Sequence, residues 1–347
     1  MTSDEILDVD LLAFEQGSAE KRAAVVDGVR RSLATGFVYT SHDVGEDLLD
    51  TAYGMLAEFF DLPSETKHRT HVPGSHGQAG YTGLLVETAA ASDDADWKEM
   101  LNWGHALPEA HPLRAGHPHR YASPVFPEAD VQGISEVLTE LHERLSALLQ
   151  RFLRVIAVGL GADEHVFDEA VRDGPDLTRA IHYPPMAHAP GDNHVWAAEH
   201  GDINLITALP RATAAGLQVR SADRWIDVAP PADHAVVNTG IMLERVSNGV
   251  IPTGVHRVVA GPDATGARHS LVHFCHPTPD TVLAPLPTCV TPDSPPRHLP
   301  VSAGALLDQV LWDINLVEGD ADVTPQIRGE TSADGSAVPP SRSDPAS

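Results

Sequence analysis

Cysteine, lysine and long apolar runs are scarce in this 347-residue sequence, and each scarcity excludes something. Two cysteines, Cys275 and Cys289, are too few for a disulfide scaffold, so reduced thiols in a cytoplasmic protein are expected. Lysine occurs only as Lys21, Lys67 and Lys98, and 23 basic residues stand against 49 acidic ones, a formal net charge of −26. So acidic a surface repels phosphate backbones and anionic headgroups, so neither nucleic acid nor a membrane is an expected partner. No stretch of 18 apolar residues is available to span a bilayer. The opening MTSDEILDVD lacks the basic start and apolar centre of a signal peptide. The chain is nevertheless 42% hydrophobic and long enough to bury a large core. Nothing in it specifies an oligomeric state.

Histidine is abundant: there are 20, with four in the proline-rich stretch from His105 to His119. Histidine is the commonest metal ligand and the usual neutral-pH acid or base. Apolar spacing predicts helices over 19–35 (Ala23, Val26, Val29, Leu33), 46–60 and 303–314. A longer one is predicted over about 128–160, where Leu138, Leu141, Leu145, Leu148, Leu149, Phe152 and Ile156 form a stripe. Residues 4–16 read as a short strand and a turn, and 69–125 as long loops with short strands. From TRAIHY onward the period changes. NLITAL, LQVRS, WIDVAP, HAVVNT, GVHRVVA and HSLVHF are short Val/Ile/Thr-rich segments between turn signals, as in an all-β barrel or sandwich. The expected organisation is an N-terminal helical and loop region (1–125) integrated with a helix plus β core (126–317) as one domain. A polar acidic tail (318–347) is expected to be disordered.

The chemistry-bearing pattern lies in the β half. On a strand, i and i+2 share a face, so His200 and Asp202 can reach one point, and His256 from a distant strand can join them. Two His and one carboxylate on one side of a metal leave three positions open, the arrangement of non-haem Fe(II) oxygenases; zinc prefers more closed shells. An H-x-D pair alone carries little weight in so His- and Asp-rich a sequence. The next segment adds more. Arg268, Ser270, Val272 and Phe274 alternate along one face of an apolar strand twelve residues after His256. An arginine directed into a β core needs an anion, and its fork of N–H donors beside a hydroxyl suits a carboxylate. Arg30, Arg144 and Arg245 also begin R-x-S triplets, but none lies on such a strand.

The ordered motifs GFVYTSHDV, FFDLPSETK, HGDINLITAL, GLQVRSADRWIDVAP, VVNTGIMLERVSNGVIPTGVHRVV and RHSLVHFCHP resemble iron(II)/2-oxoglutarate-dependent dioxygenases of the isopenicillin N synthase-like family, across nearly the whole chain. The resemblance implies a distorted double-stranded β-helix (jelly roll) with helices around it. It implies Fe(II) held by His200, Asp202 and His256, with 2-oxoglutarate and O2 as cosubstrates and succinate and CO2 as products. Arg268 and Ser270 match the residues that bind the distal carboxylate of 2-oxoglutarate, and Tyr183 matches a cosubstrate contact. The sequence departs from the family pattern at Ile181, usually Asn, at Ile241, usually Asp, and at His42-Asp43, usually His-Gly. The expected reaction is oxidation of a small molecule, by hydroxylation first and by desaturation or ring formation otherwise, in bacterial specialised metabolism such as antibiotic tailoring. Relatives that use no 2-oxoglutarate, ethylene-forming enzymes and a non-catalytic small-ligand jelly roll are the alternatives. Candidate substrate contacts are Tyr81 in Gly80-Tyr81-Thr82, the Trp97–Trp103 segment, Trp196, Asn204 and Phe274.

Overall fold

The computed structural model describes residues 5–75, 77–88, 94–191, 193–261 and 264–313. In chain order its elements begin with β1 (Asp8–Val9), α1 (Leu11–Gln16), α2 (Ala19–Ser32), β2 (Phe37–Ser41), α3 (Glu46–Asp61) and α4 (Ser64–His68). They continue with β3 (Gly80–Thr82), β4 (Glu99–Gly104), α5 (Pro112–Gly116), α6 (Ile134–Gly159), α7 (Asp168–Val171) and β5 (Leu177–Tyr183). Then come β6 (Ala197–His200), β7 (Ile206–Leu209), β8 (Leu217–Ser221), β9 (Arg224–Asp227), β10 (His234–Thr239) and α8 (Ile241–Val246). The last are β11 (His256–Val258), β12 (Arg268–Cys275), β13 (Val282–Leu283), β14 (Val301–Ser302) and α9 (Ala303–Asp313).

The major sheet runs β1-β2-β10-β7-β12-β5-β4-β3, and the minor sheet β6-β11-β8-β9. Together they form the distorted double-stranded β-helix expected from the sequence, with the N-terminal strands β2, β3 and β4 extending the major sheet. Helices cover the outer face of that sheet, so its strands are buried on both sides. In β12, Arg268, Ser270, Val272 and Phe274 line an interior cavity, while Leu271, His273 and Cys275 on the other face are fully buried. Strand β5 follows the same rule, with Leu177, Arg179, Ile181 and Tyr183 inward. Helix α6 seals the outer face through its leucine stripe, from Leu138 to Ile156, all at 0–1% exposure. Each such side chain contributes about 1.5–3 kcal/mol by leaving water.

Several buried or half-buried histidines belong to this helix–sheet layer. His142 and His273 share the Thr178 hydroxyl at 2.7 and 2.8 Å, and Ser146 links the His273 Nε2 to Asp176. His182 stacks on His269 at 4.7 Å and bonds Glu99, which also accepts from Lys67 and Tyr81.

Two boundaries differ from the sequence expectation. Residues 11–16 form a helix, because the Asp10 side chain accepts from the Ala13 amide and caps a turn too short to show periodicity. The long helix starts at Ile134, six residues late. Gly133 before it has φ +82°, and Glu128 reaches back to accept from the amides of Gly133 and Ser135. The tail expected over 318–347 lies outside the described residues. Both cysteines are free and buried. Among the described residues no helix is long and apolar enough to cross a membrane.

Candidate metal centre

The ladder between the two strands that open the minor sheet sets the site. His256 of β11 lies directly opposite His200 of β6, which brings the imidazole centroids to 4.3 Å. Asp202 follows β6 in a loop clamped by the start of α8. There the Ile241 amide donates to the Asp202 carbonyl at 2.8 Å, and the Met242 amide to that of Ile203. One ligand atom from each of His200, Asp202 and His256 lies within 4.8 Å of the others. The Asp202 Oδ1 faces the Nε2 atoms of His200 and His256 at 3.9 and 4.0 Å.

Surrounding bonds prepare each group as a ligand. The Nδ1 of His200 is 2.8 Å from the Ala198 carbonyl, and that of His256 is 3.0 Å from the Gly254 carbonyl. A carbonyl can only accept, so both Nδ1 atoms carry the hydrogen and both Nε2 lone pairs are free for a metal. Asp202 is polarised in the same sense. Its Oδ2 accepts from Thr207 Oγ1 at 2.6 Å and Asn238 Nδ2 at 2.8 Å, which leaves Oδ1 toward the histidines. Thr207 and Asn238 are direct partners across β7 and β10. Burial pushes the Asp202 carboxyl up, but His256, His200 and these two bonds outweigh it and hold the group below its ordinary value. Burial and the neighbouring His256 push His200 down, so it is neutral at pH 7. Two imidazoles with their Nε2 atoms turned to the Asp202 carboxylate, all on one side, fit a divalent iron with open positions opposite.

The position of His256 depends on a close backbone approach. Gly36, in a left-handed turn at φ +79°, lies against Gly254, and a Cβ on Gly254 would sit 2.7 Å from the Gly36 carbonyl oxygen and 2.9 Å from the Phe37 ring.

The triad opens into a cavity of about 520 Å³ lined by both sheets. Arg268 stands in its wall, 1% exposed, opposite Tyr183 in the β12–β5 ladder and 5.0 Å from the Tyr183 ring centroid. Its Nε donates to the Ala214 carbonyl at 3.1 Å and its Nη1 to Ser270 Oγ at 3.1 Å. Among the described residues no carboxylate pairs with it, so the cavity wall carries a buried cation whose charge no described side chain balances.

His200, Asp202, His256, Arg268, Ser270, Tyr183 and Phe274 all line this one cavity, and so do Ile181 and Ile241. Tyr81, Trp196 and Asn204 do not. Tyr81 is buried among Phe59 and His68 and donates to Glu99. Trp196 donates to the Pro184 carbonyl at 2.9 Å and packs on Tyr183 from behind the cavity wall. Asn204 bonds the Ile206 carbonyl and the Thr207 hydroxyl, so it touches the group that holds Asp202. Within the Trp97–Trp103 segment, Trp97 and Trp103 serve the core and Lys98 reaches the cavity. Thr207 and Asn238 are not among the candidates drawn from the sequence. Their signal is a polar residue inside an apolar strand run, LITAL and AVVNT.

Comparison with known proteins identifies the family. A model described as non-haem dioxygenase in morphine synthesis N-terminal matches residues 6–128, and the 2OG-Fe(II) oxygenase superfamily model matches residues 175–277. Jasmonate-induced oxygenase 2 of Arabidopsis thaliana is 30% identical over 308 residues, 87% of this chain and 77% of its own length. The crystal structure of a full-length Neurospora crassa protein in complex with alpha-KG and thymine superposes with a TM-score of 0.77 at 27% identity, covering 88% of this chain and 96% of that one. That of JOX2 in complex with 2OG, Fe and JA gives a TM-score of 0.70 at 27% identity, covering 89% and 84%. Fold and site together define a non-haem iron dioxygenase. The chain belongs to the 2OG-Fe(II) oxygenase superfamily, whose members use Fe(II), 2-oxoglutarate and O2.

Proposed function

We propose that His200, Asp202 and His256 bind the Fe(II), that Arg268 and Ser270 bind the distal carboxylate of 2-oxoglutarate, and that the enzyme hydroxylates a small organic molecule, releasing succinate and CO2. The observation that carries this reading is the buried Arg268, paired with no carboxylate among the described residues and facing the same cavity as the triad. Fe(II) with 2-oxoglutarate and O2 supplies an oxidant able to remove hydrogen from an unactivated carbon. The chain's own work is holding and excluding. Thr207 and Asn238 aim Asp202 Oδ1, and the Ala198 and Gly254 carbonyls fix both imidazoles. Arg268 presents a guanidinium already oriented by Ala214 and Ser270, so little entropy is lost when a carboxylate arrives. Tyr183 flanks that guanidinium, and Val272 and Phe274 continue its face as an apolar wall that contacts the substrate and keeps water away.

Two of the similar structures are complexes with thymine and with JA. These and a cavity of about 520 Å³ support a small organic metabolite as substrate, and we place it in specialised metabolism. The test is product stoichiometry. Substrate-dependent turnover is expected to release one succinate per 2-oxoglutarate consumed. Turnover without 2-oxoglutarate would indicate an oxidase instead, and ethylene in the headspace an ethylene-forming enzyme.

A further inference from the structure

The cavity carries charge well beyond the triad and Arg268. Among the described lining residues, Lys98, Arg179, Arg220 and Arg268 are cationic, and Glu87, Asp96, Glu199 and Asp202 are anionic. Glu199 and Arg220 pair at the half-exposed rim. The other pairs are interior. Lys98 Nζ sits 2.8 Å from Asp96 Oδ2 and 3.0 Å from Glu87 Oε2, and Arg179 Nη1 sits 3.4 Å from Glu87 Oε1. The side chains of Glu87, Lys98 and Arg179 are 10%, 9% and 12% exposed. Glu87 is also fixed through its backbone, because its carbonyl accepts from the Asp96 amide at 2.9 Å. Burial pushes the Glu87 carboxyl up, yet Arg179 and Lys98 outweigh it and bring it down to about 2, so Glu87 is ionised throughout the neutral range.

Arg179 is otherwise a natural substrate clamp. It projects from β5 on the cavity side, with its guanidinium 5.4 Å from the Phe274 ring centroid and its Nε bonded to Asn102. Glu87 cancels that charge. Arg268 is then the only interior cation of the described lining without a carboxylate, and under the function proposed above 2-oxoglutarate takes it. A substrate carboxylate entering the remaining space would meet no unpaired cation and would approach Glu87, at a high desolvation cost. The remaining wall combines apolar Leu177, Val272, Phe274, Leu307 and Leu311 with the polar side chains of Gln78, Thr88 and His276, and adds no carboxylate, lysine or arginine. We infer that the primary substrate is uncharged where it lies in the cavity, and that Glu87 is the specificity-determining residue that enforces this by neutralising Arg179. This rests on the functional reading above, since it assigns Arg268 to the cosubstrate.

The test is anaerobic calorimetry on the full chain loaded with Fe(II). 2-Oxoglutarate is titrated first, then matched neutral and anionic probes, octanamide against octanoate and phenylbutanamide against phenylbutanoate. In the wild type the amides are expected to bind at least about tenfold more tightly than the acids, the scale of one uncompensated charge at this depth. Glu87→Gln should reduce that ratio by about tenfold or invert it, with 2-oxoglutarate affinity unchanged. The charge-balanced double variant Glu87→Gln/Arg179→Gln should restore discrimination, a result that a merely structural role for Glu87 would not give. Acids binding as tightly as amides in the wild type, no binding of either series, or an unchanged ratio in Glu87→Gln would overturn the inference. Failure of 2-oxoglutarate itself to bind would overturn the functional reading as well, so the two failures are separable.

Discussion

Replacing Arg268 by methionine is predicted to have opposite effects on cosubstrate binding and on the stability of the unliganded protein. Among the described residues the guanidinium, 1% exposed, bonds the Ala214 carbonyl and the Ser270 hydroxyl and meets no carboxylate. Removing a buried cation that has no anion relieves a desolvation penalty of several kcal/mol, against about 1.5–3 kcal/mol for each of the two charge-assisted bonds lost. The unliganded Arg268→Met protein is therefore expected to be as stable as the wild type or more so. With 2-oxoglutarate bound, the sign reverses. Taking away one partner of a buried charge pair costs about 3–5 kcal/mol, a loss of roughly 10²–10⁴ in affinity. Arg268→Lys keeps the charge but loses the fork, so an intermediate loss of about 10–100-fold is expected. Urea unfolding of the unliganded proteins measures the first quantity. Thermal shift against 2-oxoglutarate concentration measures the second, because a ligand stabilises only in proportion to its occupancy. A large loss of stability in unliganded Arg268→Met, or a change in 2-oxoglutarate affinity under about threefold, would refute the reasoning.

Other perturbations test other links. Thr207→Val removes one of two bonds to the Asp202 Oδ2 without changing shape, and metal affinity measured by competition with a chelator should fall about 10–100-fold, with Thr207→Ser near wild type. Gly254→Ala would force a Cβ against the Gly36 carbonyl and Phe37, costing about 1–3 kcal/mol in urea unfolding and weakening metal binding by displacing His256 two residues on. His142 is pushed down by burial from 6.5 to about 3, so the unfolded chain takes up its proton first as the pH falls. Its contribution to stability is complete above pH 6.5 and is lost between there and about 3, at about 1.4 kcal/mol per pH unit, so His142→Leu should flatten the acid limb of a stability–pH curve by that slope.

The legible parts of the site are those written along single strands. The Arg268–Phe274 alternation needs only period-two geometry and reaches the cavity with His200 at the end of β6, whereas Asp202 joins them from the loop beyond that strand, held there by the start of α8. Candidates picked for aromatic character fare differently, because a ring is satisfied by core packing as readily as by substrate. Tyr81 and Trp196 have their polar atoms committed to Glu99 and Pro184. Thr207 and Asn238 are hidden because their role depends on the β7–β10 ladder, and Glu87 because its partner Arg179 lies 92 positions away across a segment without periodicity. The histidine excess is ambiguous for a related reason. His142, His182, His269 and His273 sit on strand or helix faces opposite the cavity, and no residue count separates the two faces.

Iron stoichiometry tests the central assignment most directly. Equilibrium dialysis against limiting Fe(II) without oxygen should give one iron per wild-type chain, and binding should be lost in Asp202→Ala and His256→Ala, while Thr207→Ser keeps it. Wild-type iron content in Asp202→Ala would contradict the account.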